Sequence, residues 1–157
     1  MTALVLDPCS GSRMFWFDKQ DERVLFGDIR SESHTLCDGR SLEIKPDQLM
    51  DFRNLPFDDE SFNLISFDPP HLKQMGEGAW MGKKYGILSP DWKEDLAKGF
   101  AECFRVLKTG GTLVFKWNET QIPTKDILAL TTQKPLFGHI SGKRSNTHWV
   151  CFMKARI

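Results

Sequence analysis

Short apolar runs with an aspartate at or next to their C-terminal end constrain the fold of this 157-residue chain more than any other feature. Four of them occur in its first half: ALVLD (3–7), RVLFGDI (23–29), QLMDF (48–52) and FNLISFD (62–68). Apolar runs of this length, bounded by turn residues, are typical of buried β-strands. A fifth run, TLVFKWN (112–118), has the same character. The pattern therefore predicts at least five strands.

Helical patterns separate these predicted strands. The residues that follow the first run predict a turn and a short helix within 10–20. The clearest helix is predicted over 90–108, where Ser89 suits the N-cap and Pro90 suits the first helical position. The glycine pair at 110–111 is expected to end it. Strands that alternate with helices indicate an α/β sandwich built on a mainly parallel sheet.

The end of the chain predicts a different arrangement. A helix is expected after Pro123, and the apolar runs LFGHI (136–140) and THWVCFM (147–153) flank the basic segment SGKRSN (141–146). This pattern predicts an antiparallel hairpin with a basic tip. The predicted fold class is therefore α/β, with a mainly parallel sheet and a C-terminal antiparallel hairpin. We expect residues 1–157 to form a single domain.

The composition, with 40% hydrophobic and 27% charged residues, is typical of a globular protein. No apolar run approaches the ~20 residues that span a bilayer, and the N-terminus lacks a signal-peptide pattern. We therefore expect a cytoplasmic protein without a membrane partner, whose four scattered cysteines are reduced thiols. His34 and Cys37 lie close in sequence, but without a second suitable pair no metal site is expected.

Charge is balanced overall but unevenly distributed. The chain carries 21 basic and 21 acidic residues, and all of the acidic ones lie at or before Asp126. Residues 127–157 carry five basic residues and no acidic residue. A basic C-terminal part is compatible with a polyanionic partner, and equally with an ordinary solvated surface.

The aspartates at the strand ends are the first candidates for a functional site. In open parallel sheets, ligands bind at the carboxyl ends of the strands, where Asp7, Asp28, Asp51 and Asp68 are expected. Asp28 follows Asp7 by 21 residues, close to the ~20-residue spacing at which an acid binds ribose hydroxyls. The turn after Asp7 has Gly11 alone and so lacks a full dinucleotide fingerprint. Capping acids in a generic domain are the alternative.

The sequence DPPH at 68–71 suggests what such a site could bind. Proline fixes its own φ angle and has no amide N–H. Asp68 is thus followed by carbonyl acceptors on a rigid corner, with His71 beside them. A rigid cluster of acceptors suits an exocyclic amine, and group transfer depends strongly on alignment.

These motifs together resemble the class I S-adenosylmethionine-dependent methyltransferases. The resemblance rests on DPCSGS (7–12), Asp28, DFRNLPFDDESFNLISFDPP (51–70) and the helix–strand run that ends in GGTLVFK (110–116). The Asp-Pro-Pro corner is similar to the signature of the amino-methyltransferases that act on adenine N6 or cytosine N4. The whole chain is similar to a small stand-alone group encoded by phages and bacteria. This implies a Rossmann-like sheet of seven strands.

The resemblance also implies a cofactor, S-adenosylmethionine, and a set of contacts to it. The expected cofactor-binding residues all lie at or just after strand ends: Asp7, Cys9 and Gly11 at the methionine end, Asp28 at the ribose, Asp51 and Phe52 at the adenine, and Asp68. Phe52 as ordinary core is an equal alternative.

The implied catalytic corner comprises Asp68, Pro69, Pro70 and His71. Asp68 and Pro69 would accept hydrogen bonds from the target amine, and Pro70 would hold the corner rigid. The family has Tyr, Phe or Trp where this chain has His71, so the aromatic that would stack on the target base is replaced by an imidazole. His71 could instead donate a hydrogen bond, act on a proton, or indicate an oxygen or ring-nitrogen acceptor.

The implied activity is methylation of an adenine or cytosine amine in DNA or RNA. Candidate substrate contacts fall in three regions: Trp80, Lys83 and Lys84 in a long loop expected to act as a lid, Lys116 and Asn118 at a strand end, and Lys143 and Arg144 in the hairpin. The chain has no room for a separate target-recognition segment, so a homodimer or a recognition partner protein is considered. A small-molecule or protein methyltransferase, or a non-catalytic partner module, is the alternative.

Overall fold

The computed structural model describes residues 3–71, 88–138 and 146–156, and these form nine strands and two helices. The strands are β1 Val5–Asp7, β2 Val24–Asp28, β3 Glu32–Thr35, β4 Ser41–Ile44, β5 Gln48–Leu49, β6 Phe62–Phe67, β7 Leu107–Asn118, β8 Phe137–Gly138 and β9 Thr147–Met153. The helices are α1 Trp92–Val106 and α2 Thr124–Leu128.

Seven strands form one sheet in the order β5-β2-β1-β6-β7-β9-β8. β5, β2, β1, β6 and β7 run parallel, whereas β9 is antiparallel to both β7 and β8. The predicted fold class is therefore confirmed: an α/β chain with a seven-stranded, mainly parallel sheet that ends in antiparallel strands. The order reverses at β1, which places the topological switch point beside the DPCSGS turn.

Helix α1 covers one face of β6, β7 and β9. Its apolar stripe recurs at helical spacing, with Leu96, Phe100 and Phe104 buried. The ring of Phe100 lies 5.4 Å from that of Phe67 on β6 and 4.9 Å from that of Phe115 on β7. Burying each such side chain stabilises the fold by roughly 1.5–3 kcal/mol. This aromatic layer holds the ends of β6 and β7 next to each other, where the candidate catalytic corner begins.

The short helix predicted within 10–20 does not form. The segment consists of turns, and Arg13 has a positive φ of 59°. Its guanidinium donates to the Lys45 carbonyl at 2.8 Å and lies 4.1 Å from the centre of the Phe26 ring. These tertiary contacts lay the segment across the sheet face opposite α1, and they outweigh its local helical preference.

The ends of α1 differ from the prediction as well. The helix begins at Trp92, after an N-cap at Asp91 whose side chain makes no capping bond. The Ser89 hydroxyl instead donates to Asp95 at 2.7 Å. At the other end α1 passes directly into β7, so the glycines at 110–111 lie inside the strand and do not end the helix.

Two further differences concern strands. The predicted strand at 48–52 is reduced to Gln48–Leu49, because the chain turns at a bridge between Asp51 and Asn54. The antiparallel pair β3–β4, joined through Gly39 at a φ of 86°, was not predicted. The helix expected after Pro123 and the strand THWVCFM are confirmed.

In the described part of the chain, no helix has the length and apolar character that a bilayer span requires. The assignment of 1–157 to one domain stays a prediction.

Candidate functional site

A cavity of about 320 Å³ opens at the carboxyl ends of the parallel strands. The turn after β1, the end of β2, the chain after β5 and the corner after β6 surround it. Eight of the residues proposed from the sequence line it: Cys9, Gly11, Asp28, Asp51, Phe52, Asp68, Pro70 and Lys116. Its size falls within the range of small-molecule sites. The fold thus assembles these residues, which are distant in sequence, around one cavity.

The remaining proposed residues lie elsewhere. Asp7, Pro69 and His71 are buried behind the cavity wall. Asn118, at the end of β7, donates from its amide to the Thr147 hydroxyl at 3.2 Å and does not line the cavity. Trp80, Lys83, Lys84, Lys143 and Arg144 lie outside the described residues.

The glycine turn and Asp28 are tied together. Gly11 has a φ of 51°, in the left-handed region that glycine adopts readily. Its amide donates to Oδ2 of Asp28 at 2.9 Å, and the Arg30 amide donates to Oδ1 at 3.0 Å. A carboxylate has about four lone-pair sites. Asp28 therefore shapes the turn and retains acceptor capacity toward the cavity.

Asp7 lies beneath this turn and is fully buried. Oδ1 accepts from the Cys9 amide at 3.2 Å, and Oδ2 accepts from Nε1 of Trp16 at 2.8 Å. Burial raises the pKa of Asp7 to about 7, and the nearby carboxylates of Asp68 and Asp28 add to the rise. Asp7 thus supports the turn, and with a pKa of about 7 it is only about half ionised at neutral pH.

Asp68 and Lys116 form the centre of the candidate catalytic corner. They follow the paired residues Phe67 and Phe115 of neighbouring parallel strands, and Nζ of Lys116 lies 3.6 Å from Oδ2 of Asp68. Burial raises the pKa of Asp68 to about 6, and the Lys116 charge opposes that rise. At pH 7 Asp68 is mostly ionised, but near pH 5 it is mostly protonated. The ionisation of Asp68 is therefore sensitive to the charge of a group that binds beside it.

Two aromatic rings enclose the Lys116 ammonium. Nζ lies 5.4 Å from the centre of the Phe15 ring and 5.6 Å from that of Trp149. A cation over an aromatic face is attracted by the ring quadrupole within about 6 Å. Phe15 comes from the turn segment after β1, and Trp149 comes from β9. Three separate elements therefore converge at this end of the cavity.

His71 does not line the cavity. It is only 9% exposed, and its ring lies edge-on to buried Trp117 at a centroid distance of 6.1 Å. Burial, and then the Lys116 charge, lower its pKa. A neutral imidazole packed on Trp117 follows from these contacts.

The opposite end of the cavity holds Asp51, Phe52 and Arg53. The Arg53 guanidinium binds both carboxylate oxygens of Asp51, with an NH2–Oδ2 distance of 2.6 Å, and holds the pKa of Asp51 below its usual range. The Phe52 ring lies edge-on to Phe67 at 5.4 Å and also lines the cavity. Phe52 is therefore both a core residue and a cavity residue.

Arg53 was not predicted as a site residue, although the sequence carries a signal for it. The pattern Asp-x-Arg occurs at 21–23, 28–30, 38–40 and 51–53. In each case the arginine amide donates to the aspartate Oδ1 at 2.9–3.0 Å. Phe15 and Met14, which also line the cavity, have no comparable local signal.

Comparison with known proteins bears on the fold. Neither a protein-family model nor a curated protein matches this sequence. The PH0226 protein of Pyrococcus horikoshii has a similar structure, with a TM-score of 0.61, 15% identity and coverage of 98% of this chain and 82% of that one. An S-adenosylmethionine-dependent methyltransferase of Methanosarcina mazei is similar with a TM-score of 0.59 and 12% identity, and the match covers 98% of this chain and 92% of that one. This chain therefore shares the Rossmann-like α/β fold of these structures. The 16S rRNA N2 methyltransferase RsmC of T. thermophilus was solved with AdoMet and guanosine. It is similar to this chain with a TM-score of 0.54 and 10% identity, and the match covers 99% of this chain and 36% of that one.

Proposed function

We propose that this chain is an S-adenosylmethionine-dependent methyltransferase that modifies an exocyclic amine of adenine or cytosine in DNA or RNA. One observation carries the proposal. The ionisable carboxylate of Asp68 stands on a proline corner at the cavity wall, beside a cavity whose other strand ends suit a nucleoside. The amino-methyltransferase signature in the sequence supports the same assignment.

The residues of the cavity fit the proposed cofactor. The sulfonium is cationic, and the carboxylates of Asp7, Asp28 and Asp68 lie at or beneath that end of the cavity. The opposite end offers the apolar side chains of Met50 and Phe52, against which an adenine ring would pack. Asp28 keeps acceptor capacity for ribose hydroxyls. The cavity thus offers carboxylates for the cationic sulfonium and apolar side chains for the adenine ring.

When bound, the cofactor supplies an electrophilic methyl group. Asp68 would accept a hydrogen bond from the amine of the base and so point its lone pair at that methyl group. As the N–C bond formed and the S–CH3 bond broke, positive charge would pass from the sulfonium, which leaves as the neutral thioether, to the amine nitrogen, where the Asp68 carboxylate would stabilise it. With a pKa near 6, Asp68 can also take up the proton that the methylated amine loses. Pro70 at the cavity wall keeps the corner rigid throughout.

A second acceptor class has one observation in its favour. The corner already holds an alkylammonium, because Lys116 lies between Asp68 and the rings of Phe15 and Trp149. An amine of a small molecule or of a protein side chain would meet the same groups. The test of the proposed function therefore includes protein and metabolite pools.

The deciding experiment incubates the protein with isotopically labelled S-adenosylmethionine and separate pools of unmodified DNA, total RNA and cell extract. Digestion and mass spectrometry then locate the label. We expect it on adenine N6 or cytosine N4. Asp68→Ala should lower the rate about a hundredfold or more, by comparison with the loss of other groups that stabilise developing charge. Asp126→Ala, which removes an exposed acid on α2, serves as the matched control.

Three results would count against this assignment. Label found only in protein or metabolites would transfer the proposal to the second acceptor class. Full transfer by Asp68→Ala would remove the proposed role of Asp68. Failure to bind the cofactor in calorimetry would indicate a non-catalytic partner module. A homodimer, a recognition partner and a cytoplasmic location stay predictions.

A further inference from the structure

Among the described residues of the corner after β6, 68–71, no aromatic side chain lines the cavity. His71 occupies the position where the signature has an aromatic residue, but its imidazole packs on Trp117 and does not line the cavity. A base that is extruded or single-stranded is normally held by stacking on an aromatic side chain. If the proposed function is correct, aromatic rings beside the cavity but outside 68–71 are the candidates for that surface among the described residues.

We infer that Phe15 and Trp149 form the platform on which the acceptor base stacks. The inference rests on the proposed function and deepens it, since it assigns the specificity-determining residues to elements outside the Asp-Pro-Pro corner. It also specifies the acceptor as a base that leaves its stack, in single-stranded or extruded form.

The position of the two rings supports this assignment. Phe15 lines the cavity, and Trp149 stands just beyond it, with ring centroids 5.4 Å apart and planes at 87°. Trp149 pairs in register with Lys116 across β7 and β9. The two rings therefore form an L-shaped corner directly beside the Asp68–Lys116 pair, on the outer side of the cofactor cavity.

The surface chemistry points to a planar, polyanion-linked acceptor. Trp149 is 38% exposed, so part of its side chain is accessible to solvent. Aromatic stacking does not depend on base identity, because every base has a π-face. Lys116 lies between the rings and the carboxylate. An incoming phosphate backbone gives its ammonium an alternative partner, which would leave Asp68 available to the amine.

A binding experiment with single-stranded oligonucleotides tests the platform directly. The probes are 15-mers of deoxyadenosine and deoxycytidine, and an abasic 15-mer with the same number of phosphates. Trp149→Ala should weaken binding of the base-containing probes roughly 5- to 150-fold, which corresponds to ~1–3 kcal/mol of stacking. It should leave abasic binding unchanged. Trp149→Phe should recover part of the loss.

Fluorescence and kinetics add measurements that would not change if Phe15 and Trp149 had only a structural role. Base-containing probes should quench tryptophan emission in the wild type, and Trp149→Phe should lose most of that quenching. Phe15→Ala should raise KM for the oligonucleotide much more than it lowers kcat. Phe137→Ala removes an exposed ring on the same face of the sheet, away from the cavity, and is the matched control. An unchanged far-UV circular dichroism spectrum shows that each variant is folded.

The outcomes separate this inference from the proposed function. If the wild type methylates nucleic acid and the Phe15 and Trp149 variants keep its KM and its preference for bases over abasic sites, the platform is wrong and the function stands. If the wild type methylates no nucleic acid, the proposed acceptor is wrong. If only alkylamine substrates respond to Trp149→Ala, the rings serve a cationic amine, and both assignments are overturned.

Discussion

Asp68 should make cofactor binding depend on pH in a way that one substitution can remove. Its carboxyl lies at the cavity wall, and burial raises its pKa to about 6. The carboxylate attracts a sulfonium cation, whereas the protonated acid does not. Because an acid with a raised pKa becomes charged as pH rises through that value, cofactor affinity should rise with pH between 5 and 7.

The size of the effect follows from the ionised fraction. With a pKa near 6, about 10% of Asp68 is charged at pH 5 and about 90% at pH 7. If the cofactor binds the charged form, the affinity contributed by Asp68 should improve about tenfold over this range. The buried Asp7, with a pKa of about 7, ionises over an overlapping range. The affinity of the wild type must therefore be compared with that of an Asp68 variant at each pH, so that the contribution of Asp7 cancels.

The perturbation is Asp68→Asn, which keeps the shape of the side chain and removes its charge. Isothermal titration calorimetry would give the Kd of S-adenosylmethionine and of its neutral product, S-adenosylhomocysteine, at pH 5, 6 and 7. The ratio of wild-type to variant affinity for the sulfonium should rise about tenfold. For the neutral thioether that ratio should stay nearly constant. Asp51→Asn is the control, because Asp51 has a lowered pKa and stays ionised throughout.

Two results would refute this reasoning. One is an Asp68→Asn protein that retains the full wild-type pH dependence for the sulfonium. The other is an equal pH dependence for the cation and for the neutral product, which would show that the charge of Asp68 does not act on the sulfonium.

Three further variants test how the site is supported. Gly99→Ala would place a methyl group 2.7 Å from Cδ1 of Phe52. The displaced ring should weaken cofactor binding several-fold, as measured by calorimetry. The overpacking should also lower the free energy of unfolding in urea by ~1–3 kcal/mol. A buried acid with a raised pKa destabilises the fold as pH rises, so the wild type should lose ~2–3 kcal/mol of its free energy of unfolding between pH 5 and 8. Asp7→Asn should abolish this loss. The same change in unfolding free energy in the variant and the wild type between the two pH values would contradict this. Arg105→Ala should cost ~1–2 kcal/mol, since its guanidinium donates to two backbone carbonyls within 55–57, and Arg105→Lys should retain part of that stability.

The strand ends were predictable because their signals are local. An apolar run that stops at Asp7, Asp28 or Asp68 places a carboxylate at the end of a strand whatever the rest of the fold does. The run THWVCFM was recognisable as a strand because it is a short apolar run next to a turn segment, and the structure shows that its burial alternates with period two. Local signals failed where distant contacts outweighed them. Arg13, held by Lys45 and Phe26, keeps its segment from becoming helical.

The sequence by itself determined the α/β class, the aspartates at the carboxyl ends of the strands, and the rigid corner at Asp68. Only the tertiary structure decided which groups surround that corner. It brought Lys116, Phe15 and Trp149 to Asp68 from three separate elements, and it turned His71 away onto Trp117. The physical reason is that an apolar run, a turn residue or a proline acts on its near neighbours in the chain, whereas the partners of Asp68, Lys116 and His71 are distant in sequence and only the folded sheet brings them into contact.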